Sequence, residues 1–232
     1  MVDVFVYVTD DGWSRAHPGA VVGMLVLRGA TNTSEPAARA RLDARADAVE
    51  RCLRAELAGK TRAEIAARPP MPAYAAYYRR FDKTYHVQAQ IESVALKGKP
   101  IPRVGALVEA MFVAELESGL LTAGHDFDRL ALPARVSSAT GSETFVTMSG
   151  RGVTLKAGDM YIADGIGVIS SIIYGPDGRT RIAPETTAVM YTVYGPPGVC
   201  AAAVDAHLRA IEENVRLVSP GALLVAREVL KA

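Results

Sequence analysis

Valine occupies every second position from Val2 to Val8, which predicts a strand with one buried face. A second apolar run over residues 21–27 predicts another strand. Later in the chain, Gly-Asp, Asp-Gly and Pro-Asp-Gly turns separate short runs rich in β-branched and aromatic residues. These runs predict strands over residues 144–148, 160–163, 167–174 and 188–194, arranged as hairpins.

Between and after these strands, apolar residues recur at helical spacing. The pattern predicts helices after Pro36, over residues 73–80 and 88–97, around residues 107–116 and over residues 204–218. We expect Thr33 and Ser34 to cap the first of these helices. In the helix around residues 107–116, Glu109 and Glu115 lie off the apolar face, so this helix is predicted to be half-buried. The last helix is expected to dock on the sheet.

The order of these elements lacks the regular alternation of strand and helix that builds a doubly wound fold. It favours an α+β fold with mixed or antiparallel sheets flanked by helices. We expect a single domain over residues 1–232, with an N-terminal part of about residues 1–67 and a core part of about residues 68–232. Three prolines make residues 68–72 a stiff connector between the two parts.

The composition is that of an ordinary soluble protein, with 232 residues, 26 Lys and Arg, 25 Asp and Glu, and 50% hydrophobic residues. Cys52 and Cys200 are too few for a disulfide framework and lack zinc-site spacing. No apolar run approaches the roughly 20 residues that span a bilayer, and the N-terminus is acidic. We therefore expect a cytoplasmic protein without a membrane partner.

Charge is unevenly distributed, because residues 68–103 carry seven basic residues against two acidic ones. Tyrosines and a phenylalanine are interleaved with these bases. Such a segment could hold a phosphate backbone by charge and a base by stacking. The alternative is a solvated helix face whose aromatic side packs on the core.

Common catalytic and ligand-binding motifs are missing from the sequence. The four histidines have no metal-site spacing, and there is no P-loop and no G-x-S-x-G elbow. Gly165 and Gly167 precede a β-branched run where a dinucleotide-binding loop would need a helix. We therefore expect no metal and no cofactor.

Two short segments carry candidate chemistry. His125, Asp126 and Asp128 follow a predicted helix, where we expect a loop that could supply a general base or only a local hydrogen-bonded pair. Asp164 and Gly165 lie between two predicted strands and could hold a ligand group or form a hairpin turn.

Four segments together resemble the B3/B4 domain of the β subunit of bacterial phenylalanyl-tRNA synthetase and its free-standing relatives. They are the aromatic and basic run 76–81 with 96–102, the helix and acidic loop 104–130, the run 158–165, and residues 181–186. The resemblance implies an α+β fold whose pocket accepts the aminoacyl end of tRNA and hydrolyses a misattached amino acid. A free-standing member could perform this editing in trans.

The resemblance implies three groups of site residues. The catalytic candidates are His125, Glu109 and Asp126. The substrate pocket is expected near Gly105, Asp164, Gly165, Ser171 and Thr192. The expected partner is tRNA or aminoacyl-tRNA rather than DNA, bound by Arg79, Arg80, Lys83, Lys97, Lys99 and Arg103.

The sequence departs from the synthetase at several of these positions. Thr192 stands where the synthetase has the glutamate that would pair a tyrosine hydroxyl, and the loop imidazole has moved to His125. Changed or lost amino-acid specificity follows as a hypothesis. The alternatives are a non-catalytic module that binds RNA or an amino-acid-like ligand, and a small-molecule enzyme on the same fold.

Overall fold

The structure, a computed structural model, describes residues 7–33 and 35–232. Most of the first predicted strand and the predicted cap Ser34 lie outside these residues. The helices are α1 (Asp11–Ala16), α2 (Pro36–Glu56), α3 (Arg62–Ala66), α4 (Met71–Arg79), α5 (His86–Lys97), α6 (Ala106–Ser118) and α7 (Ala201–Val218). The strands are β1 (Tyr7–Thr9), β2 (Val21–Arg28), β3 (Leu121–Asp126), β4 (Ala134–Ser138), β5 (Thr144–Val146), β6 (Gly152–Thr154), β7 (Met160–Ala163), β8 (Val168–Ser171), β9 (Gly175–Pro176), β10 (Ala188–Gly195) and β11 (Leu223–Lys231).

A four-stranded antiparallel sheet, ordered β11-β2-β10-β3, forms the middle of the fold. One face of this central sheet contacts α6 and α7. The hydroxyl of Tyr191 on β10 donates to the Leu107 carbonyl of α6 at 2.7 Å. Gly23 on β2 has no room for a side chain, because a Cβ there would lie 2.4 Å from Cγ1 of Val204 on α7. Successive side chains of a strand point to opposite faces. Alternate residues of β2 and β10 therefore point to this helical layer, and the residues between them point to the other face.

The opposite face of the central sheet meets a second sheet, ordered β1-β4-β7-β8-β9, in which β1 pairs with β4 in parallel and the other pairs are antiparallel. Tyr194 of β10 and Ser170 of β8 join the two sheets through a hydroxyl contact of 2.6 Å. A hairpin of β5 and β6 forms a third, small sheet. The chain is thus an α+β protein with mixed and antiparallel sheets flanked by helices, as the sequence predicts.

Helices α4 to α7 and strands β7 and β10 confirm the elements predicted at those places. Periodicity did not identify β3 or β11, which complete the central sheet, or the short helices α1 and α3. Glu35, not Thr33, is the N-cap of α2, where its carboxylate accepts from the Ala38 amide. The prediction that α6 is half-buried was wrong, because Glu109 and Glu115 are both buried.

Among the residues described, no helix is both long enough and apolar enough to cross a membrane.

A buried carboxyl group lies between α4 and β7. Asp159 is fully buried, and its Oδ1 accepts from the Tyr77 hydroxyl at 3.0 Å. Its Oδ2 has no hydrogen-bond partner among residues 7–33 and 35–232. Burial raises the pKa of Asp159 to about 7, against an ordinary value of 3.8. The folded protein therefore holds the neutral form of this group over a pH range in which the unfolded chain releases the proton.

We expect Asp159 to make the protein more stable at acid pH. Between pH 4 and pH 7 the folded state binds more protons than the unfolded state, so the free energy of unfolding falls as pH rises, by roughly 3 kcal/mol for this group. Urea unfolding at pH 5 and pH 7.5 measures the change. Asp159→Asn should flatten the pH dependence, whereas Asp82→Asn, at an exposed position, should leave it as in the wild type. Equal pH dependence in all three proteins would contradict this expectation.

Candidate functional site

Exposed cations surround α5. Three precede the helix and two lie at its end, so the two groups are separated by a 12-residue helix, or about 18 Å. None of the five has an ion pair within the described part of the chain, which leaves their charge available to an anionic ligand. They are Arg79, Arg80, Lys83, Lys97 and Lys99.

The other two bases of the segment are neutralised by acids. Arg68 pairs with Glu56 on α2. Arg103 lies 2.5 Å from a carboxylate oxygen of Asp47 and 3.4 Å from one of Glu109. Arg103, one of the predicted tRNA-binding residues, is therefore held against the acidic side of α2 and α6.

The aromatic residues of this segment face the interior. All are 5% exposed or less, and their rings pack on each other, with Tyr74 and Tyr85 stacked at 4.1 Å between centroids. They cannot stack on a nucleic-acid base, so that part of the interpretation was wrong. The structure matches the alternative interpretation, a solvated helix face whose aromatic side packs on the core. The buried aromatic residues are Tyr74, Tyr77, Tyr78, Phe81 and Tyr85.

A cavity of about 610 Å³ opens beside these cations, between α3 and α5. Arg79 and Lys83 line it together with Arg62, a base outside the segment that sequence analysis singled out. The carboxylate of Glu92 accepts from Arg62 at 2.7 Å. Two cations with no ion pair among the residues described thus share a cavity with one that is paired.

Glu109, a predicted catalytic residue, is fully buried in α6 and ion-paired. Arg39 of α2 donates to its Oε2, and Nη1 of Arg103 lies 3.4 Å from its Oε1. Burial raises the pKa of Glu109, while the two arginines act to lower it. The carboxylate is therefore placed to join α2 to α6.

Gly105, predicted to lie in the pocket, is the N-cap of α6. A Cβ at this position would lie 2.5 Å from Oδ1 of Asn32. That oxygen accepts from the Leu107 amide at 3.1 Å, and the Asn32 amide group donates to the Ala183 carbonyl at 2.9 Å. Asn32 therefore caps α6 in place of a side chain at Gly105.

His125 lies in β3 and is fully buried, so the expectation of a loop at this position was wrong. The cause is that β3 pairs with β10, with His125 opposite Met190. Asp126 ends the same strand and is buried, whereas Asp128 is exposed.

His125 belongs to a hydrogen-bonded chain of three side chains. The Thr180 hydroxyl donates to Asp177, and the same hydroxyl oxygen lies 2.8 Å from Nδ1 of His125. Because a threonine hydroxyl has a single hydrogen, the Nδ1–H of His125 must donate to Thr180. Nε2 is then an unprotonated nitrogen, and it has no partner among the described residues.

Electrostatics keep the His125 ring neutral. Burial lowers the pKa of His125 to about 3, and the Arg179 guanidinium acts in the same direction while Asp164 opposes both. The ring therefore presents a lone pair at neutral pH.

Asp126 and Asp164 each hold a loop in place. Asp126 accepts from the Thr186 hydroxyl at 2.7 Å. Asp164 binds Nη2 of Arg179 through both carboxylate oxygens at 2.8 and 2.9 Å and caps the turn at Gly165 by accepting from Ile166 and Gly167. Burial acts to raise the pKa of Asp164, but these hydrogen bonds lower it overall.

Ser171 and Thr192 lie in the buried part of the fold. Ser171 accepts from the Tyr174 amide at 3.0 Å. The hydroxyl of Thr192, 0% exposed, lies 3.5 Å from the Ala123 carbonyl on the neighbouring strand. Neither side chain lines the cavity beside α5.

The structure brings His125, Asp126 and Asp164 to one loop, residues 177–186, and leaves Gly105 with Glu109 at the start of α6. Sequence analysis missed the residues that hold this loop, Asp177, Arg179, Thr180 and Thr186. The Pro-Asp-Gly turn at residues 176–178 was a signal for Asp177, but nothing local connects Thr180 with a histidine 55 residues earlier.

Comparison with known proteins supports the fold. No family model matches the sequence, and no curated protein does. Among solved structures, an N-terminal fragment of the phenylalanyl-tRNA synthetase β subunit from Pyrococcus horikoshii is similar, with a TM-score of 0.50 and 12% sequence identity. The match covers 98% of this chain and 50% of the fragment, so the chain spans about half of the fragment's length. At this identity the likeness is one of fold.

Proposed function

We propose that the chain is a B3/B4-like domain that binds tRNA or aminoacyl-tRNA. The observation that carries the proposal is the group of five exposed cations around α5 that have no ion pair within the described residues. Lys and Arg side chains that are free of acidic partners provide the charge that holds a phosphate backbone. The fold shared with a fragment of a tRNA synthetase subunit supports tRNA as the nucleic acid.

Equilibrium binding of the purified protein to fluorescent tRNA tests the proposal. We expect saturable binding of tRNA, and we expect duplex DNA of equal charge to be a weak competitor. Absence of binding to tRNA at low salt would contradict it, and equal affinity for the DNA would remove tRNA as the preferred partner.

Hydrolysis of misacylated tRNA in trans is the second candidate, and the neutral His125 favours it. Its Nε2 carries a lone pair without a partner among the described residues, and Thr180 with Asp177 fixes the tautomer. A general base works best when its pKa lies near the operating pH, so any movement that admits a substrate must also let water reach the ring and relieve the burial that lowers its pKa. Because His125 is fully buried, a substrate reaches Nε2 only if the residues that cover it move.

For any aminoacyl-tRNA that the wild type hydrolyses, we expect His125→Ala to slow deacylation by at least about 100-fold, the usual contribution of a positioned general base. Thr180→Val should slow it less, because it removes only the group that orients the ring. The assay is a panel of matched and mismatched aminoacyl-tRNAs. Thr140→Val, in an exposed loop, is the control and should retain the wild-type rate.

Two outcomes would contradict this role of His125. Hydrolysis unchanged in His125→Ala would place the chemistry elsewhere. Binding to tRNA with no hydrolysis across the panel would make the protein a non-catalytic module.

A further inference from the structure

A second cavity, of about 440 Å³, lies between the end of α6 and the first half of α7. Its walls are mostly apolar, with Pro69 and Pro70 on one side and alanines of α7 on the other. Glu117 is the charged residue that borders it, and Arg45 pairs with Glu117. None of the five cations around α5 borders this cavity, so it is separate from the proposed tRNA surface.

Ser118 and His207 both border the cavity and are hydrogen-bonded to each other. The Ser118 Oγ lies 2.9 Å from Nδ1 of His207, and Nε2 of His207 lies 2.7 Å from Oγ1 of Thr122. Ser118 is partly exposed, whereas His207 is 2% exposed. A nucleophile within hydrogen-bond reach of a base that a third group orients is the arrangement used in covalent catalysis.

The hydrogen bonds around Ser118 allow it to donate to the base. The Leu120 amide donates to Oγ of Ser118 at 3.1 Å, which leaves the Ser118 hydrogen free for Nδ1 of His207. Nε2–H of His207 can then donate to Thr122. Burial lowers the pKa of His207 to about 3, so the ring is neutral. The Ala114 carbonyl acts in the opposite direction and favours the protonated ring, the form that His207 takes after it accepts a proton.

The first turn of α7 borders the same cavity through Cys200 and Ala203. The amide of Ala203 donates to the Cys200 carbonyl, and the dipole of α7 makes this end of the helix positive. This positive end favours negative charge at this border of the cavity.

We propose that Ser118 and His207 form a second site, in which Ser118 accepts the acyl group of a small, uncharged, apolar ester bound in this cavity. The Ser118 oxygen forms a bond to the acyl carbon while His207 takes the hydroxyl proton. The ester's C–O bond then breaks, and its alcohol leaves with that proton. Water hydrolyses the acyl-serine in the same way and regenerates the hydroxyl. The apolar walls favour a short aliphatic or aromatic acyl group, and the lack of a cation among the lining residues disfavours an anionic one.

The test uses p-nitrophenyl butyrate with the full chain. We expect a burst of about one equivalent of p-nitrophenolate per protein, followed by slower release as water hydrolyses the acyl-serine. Mass spectrometry during the burst should place a butyryl group on the peptide that contains Ser118. Ser118→Ala should lower the acylation rate at least 100-fold, whereas Ser142→Ala, at an exposed loop serine, should react like the wild type.

Further variants separate catalysis from structure. Ser118→Cys should be acylated as a thioester, which shows that the site is intact when its nucleophile is exchanged. Thr122→Val should lower the acylation rate while the KM changes little, because Thr122 positions His207. Acylation confined to Cys200 or to lysines, or an unchanged rate in a folded Ser118→Ala, would overturn the proposal.

Discussion

Replacing Arg39 by methionine should lower the free energy of unfolding by about 3 kcal/mol. Its partner Glu109 is fully buried and would lose the stronger of its two cationic contacts. Breaking a buried pair costs about 3–5 kcal/mol, because one charge remains without compensation. We expect the low end of this range, since Arg103 still contacts the other carboxylate oxygen.

Arg45 provides a matched control, because it also joins α2 to α6. It pairs with Glu117, but both side chains are substantially exposed. Exposed pairs contribute about 0–1 kcal/mol, so Arg45→Met should change stability little. Urea unfolding of both variants compares them directly. If Arg39→Met cost no more than Arg45→Met, the buried pair would not stabilise the contact of the two helices.

The double variant Arg39→Met, Glu109→Leu extends this test. With both charges removed, much of the lost stability should return, because an apolar pair can replace a buried ion pair at little cost. Recovery of stability would identify Glu109 as a residue that holds α2 against α6. Deacylation measured in this variant then shows whether Glu109 has any role in chemistry.

Affinity for tRNA should fall steeply with salt. If all five cations around α5 contact phosphates, the slope of log affinity against log salt is about −3.5 to −4.5, depending on whether the contacted RNA is single- or double-stranded. Raising salt from 50 to 200 mM would then weaken binding by about 100-fold to 500-fold. Fluorescence anisotropy over this range gives the slope.

Neutralising four of these cations should reduce the slope to about −1. The variant carries Gln at Arg79, Lys83, Lys97 and Lys99; Arg80 is kept because its guanidinium packs over Tyr77 and Phe81. The control carries Gln at four other exposed cations without an ion pair among the described residues: Arg135, Arg151, Arg181 and Lys231. Both variants lose four charges. Equal slopes in the two would show that tRNA responds to net charge and not to this surface.

Much of the fold could be predicted from local patterns, because the spacing of apolar residues in α6 and α7 and the β-rich run of β10 identify these elements. The strand β11 was missed since it is an edge strand whose first three residues, Leu223 to Val225, are exposed and show no alternation. The strand β3 was missed for the opposite reason. It is buried on both faces, so His125 and Asp126 looked like a polar loop.

The site was less predictable because its contacts are distant in sequence. Arg39 and Glu109 are 70 residues apart, and their pairing depends on how α2 crosses α6. The basic residues could be counted from the sequence, but the acids that neutralise Arg103 lie on α2 and α6. Local patterns thus located the basic segment, while the structure was needed to show which of its charges are free.

Ultraviolet crosslinking of the protein to tRNA at 100 mM salt, followed by mass spectrometry of the peptides, tests the central proposal most directly. We expect crosslinked peptides from residues 79–99, and their loss in the four-site variant but not in its control. Saturable tRNA binding with crosslinks confined to other parts of the chain would contradict the proposed interface.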